Sequence, residues 1–129
     1  MRYVFPAKFI REDGVYYVRF PDLENCFTDG KDIPDALDAA ADVLNLMLCG
    51  REDNRELIPE PSDIKTIQVA DNEFTSLIEA DTAVYRQFIS PKPIKKTLTI
   101  PSYLNAMAEK EGVNFSAVLQ EALKARLGV

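Results

Sequence analysis

KPIKKTLTIPSYLNAMAEKEGVNFSAVLQEALKARL, residues 92–127, decides how this chain is divided. KKTLTI alternates with the period of a β-strand, placing Lys96, Leu98 and Ile100 on one side and Lys95, Thr97 and Thr99 on the other. Pro101 ends that strand. SYLNAMAEKEG then predicts a helix with Leu104, Met107 and Ala108 inward and Gly112 as its stop. Asn114 is a good N-cap for a second helix, whose apolar stripe is Phe115, Val118, Leu119, Ala122, Leu123 and Leu127.

A unit of about 35 residues with one strand and two short helices cannot bury a core by itself. Its unpaired strand also leaves backbone N–H and C=O groups seeking partners, and a second copy of the same strand is the simplest supplier. The expected result is a homodimer built on a two-stranded antiparallel ribbon. A ribbon fits the DNA major groove, and its outward side chains Lys95, Thr97 and Thr99 are the candidate base-contacting residues. The second helix starts at Asn114, Phe115 and Ser116, where free N–H groups and the positive end of the helix dipole suit a DNA phosphate.

Working outward, charge separates this tail from the rest. Residues 92–129 hold six Lys/Arg against three Asp/Glu, a balance of +3, whereas residues 1–91 hold nine against eighteen, a balance of −9. A basic tail fits a phosphate backbone and an acidic body fits a basic protein. The expected organisation is a first domain over 1–90, a linker over 91–94, overlapping the stretch SPKP (90–93) whose two prolines disfavour regular structure, and a DNA-binding and dimerisation domain over 95–129.

In the first domain, RYVFPAKFI (2–10) and VYYVRF (15–20) read as strands joined through REDG, with Gly14 in the turn. PDLENCFTDG reads as a turn leading into a short third strand near 25–28, with Phe20, Pro21, Leu23 and Phe27 shaping the turn and filling the core. From Ile33 to Cys49 the period becomes helical, through Ala36, Leu37, Ala40, Val43, Leu44, Met47 and Leu48. Asp32 is the expected N-cap, Pro34, Asp35 and Asp38 suit the first turns, and Gly50 is the expected stop. A charged loop over 51–63 and an ambiguous stretch over 64–70 precede a strand (74–80) and a short helix capped by Asp81 (81–89). The expected fold class is α+β, with order β-β-β-α-β-α and one helix across one face of an antiparallel sheet.

Composition excludes several classes. Without histidine there is no imidazole acid–base chemistry, no Ser-His-Asp constellation and no ordinary zinc site. Cys26 and Cys49 form no CxxC and read as reduced, buried thiols. The apolar runs are far shorter than the ~20 residues of a membrane span, and the N-terminus lacks a signal-peptide h-region, so the expectation is a soluble, cytoplasmic chain with no membrane partner. Glu12, Asp13, Asp22, Glu24 and Asp29 sit mostly in turns instead of fixed strand positions, which argues against a magnesium-dependent nuclease. No catalytic residue, metal or cofactor is expected.

The tail resembles the ribbon-helix-helix repressors over about 35 residues, through its basic alternating strand, Pro, helix, Gly, polar N-cap and helix in that order. Lys96 departs from the pattern, standing where that family often has an apolar residue. Residues 3–90 resemble the HicB antitoxin family, most strongly at FPDLENCFTDG and IPEPS. That resemblance implies a partial RNase H-like domain that binds and masks a small basic HicA-like toxin, an RNA-cleaving enzyme, ahead of a segment that binds operator DNA of its own operon. The candidate toxin-binding residues are Asp22, Glu24, Asp29 and Asp32, and pairing of two dimers into a tetramer is open. The alternative is a stand-alone ribbon-helix-helix repressor whose first domain senses a small ligand.

Overall fold

The computed structural model of the chain describes residues 1–90 and 92–129; Pro91, the first residue of the expected linker, lies outside them. Two compact units are present, Met1–Pro91 and Lys92–Val129. Among the described residues no helix is long and apolar enough to cross a membrane.

The first unit is built on a hairpin. Strand β1 (Arg2–Glu12) turns at Asp13 and Gly14 into β2 (Val15–Arg19), and both turn residues have positive φ (52° and 77°), as the tight hairpin turn matching strand twist requires. Strand β3 (Phe27–Gly30) pairs with β2, and β4 (Glu73–Asp81) pairs with the other edge of β1, giving an antiparallel sheet of order β3-β2-β1-β4. Helix α1 (Ile33–Asp53) covers one face. Its residues Ala36, Ala40, Leu44 and Leu48, at fourfold spacing, meet Phe5, Ala7, Phe9, Val18, Ile78 and Ala80 from alternate strand positions. Each fully buried Phe or Leu contributes about 1.5–3 kcal/mol. Phe9 also stacks on Phe74, with ring centroids 5.0 Å apart. Helix α2 (Thr82–Ile89) follows directly, with Asp81 accepting from the Val84 N–H at 3.3 Å.

The order β-β-β-α-β-α expected for this unit is the observed one, with four corrections of detail. The third strand begins at Phe27 instead of near residue 25, because Phe20, Leu23 and Cys26 are buried as anchors of the preceding turn. Phe27 is consequently 66% exposed and does not fill the core. Leu37 is also exposed, outside the buried stripe of α1. Helix α1 runs past Gly50 to Asp53, since one interior Gly costs only about 1 kcal/mol against the packing of Leu48 and Cys49.

That helix ends in a Schellman arrangement, with the Glu56 N–H donating to the Arg51 carbonyl at 2.8 Å and the Arg55 N–H to Glu52 at 3.2 Å. Arg55 therefore sits at φ 55°, a left-handed position that favours glycine. Replacing Arg55 with Gly should stabilise the unit by about 0.5–1 kcal/mol, read as a higher midpoint in urea with unchanged slope. The ambiguous stretch before β4 contains a single 3₁₀ turn, Ile64–Thr66, opened by Asp63.

In the second unit, α3 (Ser102–Lys110) ends at Gly112 (φ 68°) in another Schellman closure, and α4 (Phe115–Leu127) starts from Asn114. The expected stop and cap are both observed. No residue of either helix is buried in the single chain. The strand expected over 95–100 is not formed, for a physical reason: among the described residues no strand lies beside this stretch to complete a ladder.

Candidate functional site

The connection between β2 and β3 is held from below and from the side. The Phe20 N–H donates to the Cys26 carbonyl at 3.0 Å, the Leu23 N–H donates to Phe20 at 3.2 Å, and Asn25 takes a left-handed φ of 58°. Phe20, Leu23 and Cys26 are buried, and burial, opposed by nearby Arg51, pushes the Cys26 thiol up to about 11, so it stays protonated. Asp22 accepts from the Ser62 backbone N–H at 2.9 Å and from the Ser62 hydroxyl. The two most distinctive sequence stretches, FPDLENCFTDG and IPEPS, are thus tied together by one carboxylate.

Asp32 is likewise engaged, capping α1 by accepting the Asp35 N–H at 2.9 Å. Glu24 and Asp29 are exposed and carry no hydrogen bond or ion pair among the described residues. Of the four candidate toxin-binding acids, two shape the surface and two stand free on it. Asp29 shares the outward side of β3 with Phe27, which sequence reading had assigned to the core. Asp38 and Asp42 continue the acidic side of α1 beyond Asp35 and line a groove against α2 that the local spacing does not reveal.

One carboxylate joins the helices to the sheet. Glu52 near the end of α1 accepts from the Tyr3 hydroxyl at 2.8 Å, the Thr82 hydroxyl at 3.0 Å and Arg86 at 3.1 Å. Burial alone would raise its pKa, but hydrogen bonds from Tyr3, Arg86 and Thr82 outweigh that and hold the carboxyl below its ordinary range. Tyr3 responds in the opposite direction, its phenol pushed up to about 12 by burial and by the Glu52 charge. Arg86 also pairs with Asp53 at 3.0 Å and donates to the Cys49 carbonyl at 3.3 Å.

In the second unit, Lys95, Thr97 and Thr99 are exposed on the extended segment. The Asn114 side chain accepts the Ala117 N–H at 3.1 Å, and the Ser116 hydroxyl accepts from Gln120 at 3.1 Å. The first backbone hydrogen bond of α4 runs from the Val118 N–H to the Asn114 carbonyl at 3.0 Å, so the N–H groups of Phe115 and Ser116 precede the helical ladder.

Comparison with known proteins places this geometry. No curated protein matches the chain. A chain in a toxin–antitoxin complex from Streptococcus pneumoniae is 30% identical, with 98% of this chain and 99% of that one aligned at a TM-score of 0.62. The crystal structure of the antitoxin HicB from Burkholderia pseudomallei shares the fold at 20% identity, covering 94% of this chain and 96% of that one with a TM-score of 0.54. A chain of a HicA3 and HicB3 toxin–antitoxin complex aligns over 61% of this chain and 99% of its own length, at 17% identity and a TM-score of 0.52. The family model described as the HicB-like antitoxin of bacterial toxin–antitoxin systems matches residues 5–122, and the chain belongs to that family.

Proposed function

We propose that this chain neutralises a HicA-like, RNA-cleaving toxin by direct binding and represses its own operon by binding operator DNA. The observation that carries the reading is the family match across both units, from residue 5 to residue 122. The first unit, with its four-stranded antiparallel sheet and covering helix, is read as a partial RNase H-like domain that has become a binding surface. Its balance of −9 over residues 1–91 draws a basic toxin by electrostatic steering. Glu24 and Asp29 meet the toxin's cations, while Asp22 and Asp32 hold the turn and helix start beside them. Occlusion requires affinity alone, so this chain supplies no catalytic group and works in the cytoplasm, where its toxin cleaves RNA.

The second unit acts as a ribbon-helix-helix dimer. Exposure of Leu98, Ile100, Leu104, Met107, Val118 and Leu123 in the single chain supports this, because six apolar side chains on about 38 residues need a second copy to cover them. In the dimer, residues 95–100 pair across the two-fold axis and present Lys95, Thr97 and Thr99 to base edges. The N-termini of α4 at Asn114, Phe115 and Ser116 receive phosphates. Thr97→Ala or Thr99→Ala should relax sequence preference by about 1–3 kcal/mol, and Lys95→Ala should reduce the salt slope of binding if it meets phosphate. Gel-shift titrations at several salt concentrations read both effects. Unchanged affinity in all three variants would show that the ribbon is not the reader.

The deciding experiment for the antitoxin role is co-expression with the neighbouring reading frame, which this reading expects to encode a small basic protein. Rescue of growth with co-purification establishes it. A harmless neighbour, or a chain that purifies alone, removes it.

A further inference from the structure

We infer that the groove between α1 and α2 receives a basic segment of the partner toxin bearing one large apolar side chain. The inference rests on the antitoxin reading above and assigns that function a site. The groove measures about 320 Å³, at the small end of ligand-sized sites. It is lined by Asp38 and Asp42, one turn apart on α1, by Asp81 at the start of α2, and by the apolar side chains of Val84, Tyr85 and Phe88 on α2. Phe88 is 84% exposed, next to Val84 and Ile89 at 46% and 57%, so α2 offers a contiguous apolar patch beside these acids.

Charge chooses the occupant. Among the described residues no Lys or Arg pairs with Asp38, Asp42 or Asp81. Nor, among those residues, do three His, Cys, Asp or Glu side chains converge as a metal site. Asn45 adds an independent sign: it lines the same groove, its amide nitrogen donates to the Ala41 carbonyl at 3.0 Å, and its Oδ1 is buried without a donor. Asp38, Asp42 and Asp81 without a cation and Asn45 Oδ1 without a donor are all acceptors. Lys and Arg side chains offer donors only, whereas a nucleic acid or an anionic lipid would bring more negative charge. A second first unit is excluded on the same ground, since it too carries −9 over residues 1–91. Tyr85 is consistent with this, because burial and then the nearby Asp42 charge raise its phenol and keep it a donor beside that carboxylate.

The test uses the whole 129-residue chain and a purified HicA-like toxin, titrated calorimetrically. Asp38→Lys and Phe88→Ser should each weaken binding about tenfold or more, with melting temperature unchanged because both side chains are exposed. Glu121→Lys, an exposed change in the second unit, should leave affinity unaltered. Raising salt from about 50 to about 300 mM should weaken wild-type binding more than binding by Asp38→Lys. If wild type binds and both groove variants bind equally well, the groove assignment is wrong and the antitoxin reading stands. Loss of oligomeric mass in Phe88→Ser, with toxin affinity intact, assigns the groove to a second copy and overturns the proposal. Absence of wild-type binding removes both readings together.

Discussion

Gly30→Ala should destabilise the first unit by about 3–4 kcal/mol, the upper range for forcing an atom into packed structure. Gly30 ends β3 where the chain turns into α1, and a Cβ added there would lie 2.4 Å from the Ala36 backbone nitrogen and 2.5 Å from its Cα. These are backbone atoms of a helix, so no rotamer change relieves the clash. Either α1 lifts from the sheet, loosening Ala36 and Ala40 from Val18 and Phe9, or β3 pulls away from β2. For a domain of this size the loss corresponds to roughly 15 °C or more in melting temperature. Both routes displace the segment bearing Asp29 and Asp32, so toxin affinity should fall with stability even though Gly30 touches no partner. A melting temperature within about 2 °C of wild type would show that the close approach is not rigid.

Sequence reading reached the architecture because the informative patterns are local. The hairpin announces itself in EDG between two β-rich runs, and α1 through apolar residues every three or four positions after an Asp-x-Pro start. The Asp32, Asp81 and Asn114 caps were legible for the same reason, since a cap depends on residues within one turn. The third strand was misplaced because Cys26 is apolar whether it lies in a strand or anchors a turn, and a shift in strand position reassigns side chains between faces. That ambiguity sent Phe27 to the core on paper and to the surface in the structure.

The candidate site was less legible, because its parts meet only in three dimensions. Glu24 and Asp29 carry free side chains on the surface, but Asp22 is committed to Ser62, across the whole length of α1 in sequence. Asp38 read as an ordinary dipole-favoured residue of a helix. Only the placement of α2 against α1 makes it part of a groove's lining.

Glu52→Ala should cost about 2 kcal/mol, the scale for hydrogen bonds to a charged group, because the carboxylate is only partly buried and Arg86, 39% exposed, retains Asp53. The substitution leaves the Tyr3 and Thr82 hydroxyls without their acceptor and removes one of the three Arg86 contacts between α2 and the end of α1. Its pH dependence separates this cause from simple loss of packing. Glu52 titrates below the ordinary glutamate value of 4.5 in the folded chain, so its contribution is complete above 4.5 and disappears as pH falls through the lowered folded value. Tyr3 shifts upward, from 10.0 to about 12, so the contribution of its neutral phenol is complete below 10 and is lost as pH rises toward 12. The stability difference between wild type and Glu52→Ala should therefore be greatest between about pH 5 and pH 9 and narrow at both ends, measured by urea unfolding across pH. A difference that stays constant across that range would mean that Glu52 acts by filling space, and that α2 is held to the sheet by something other than this charge.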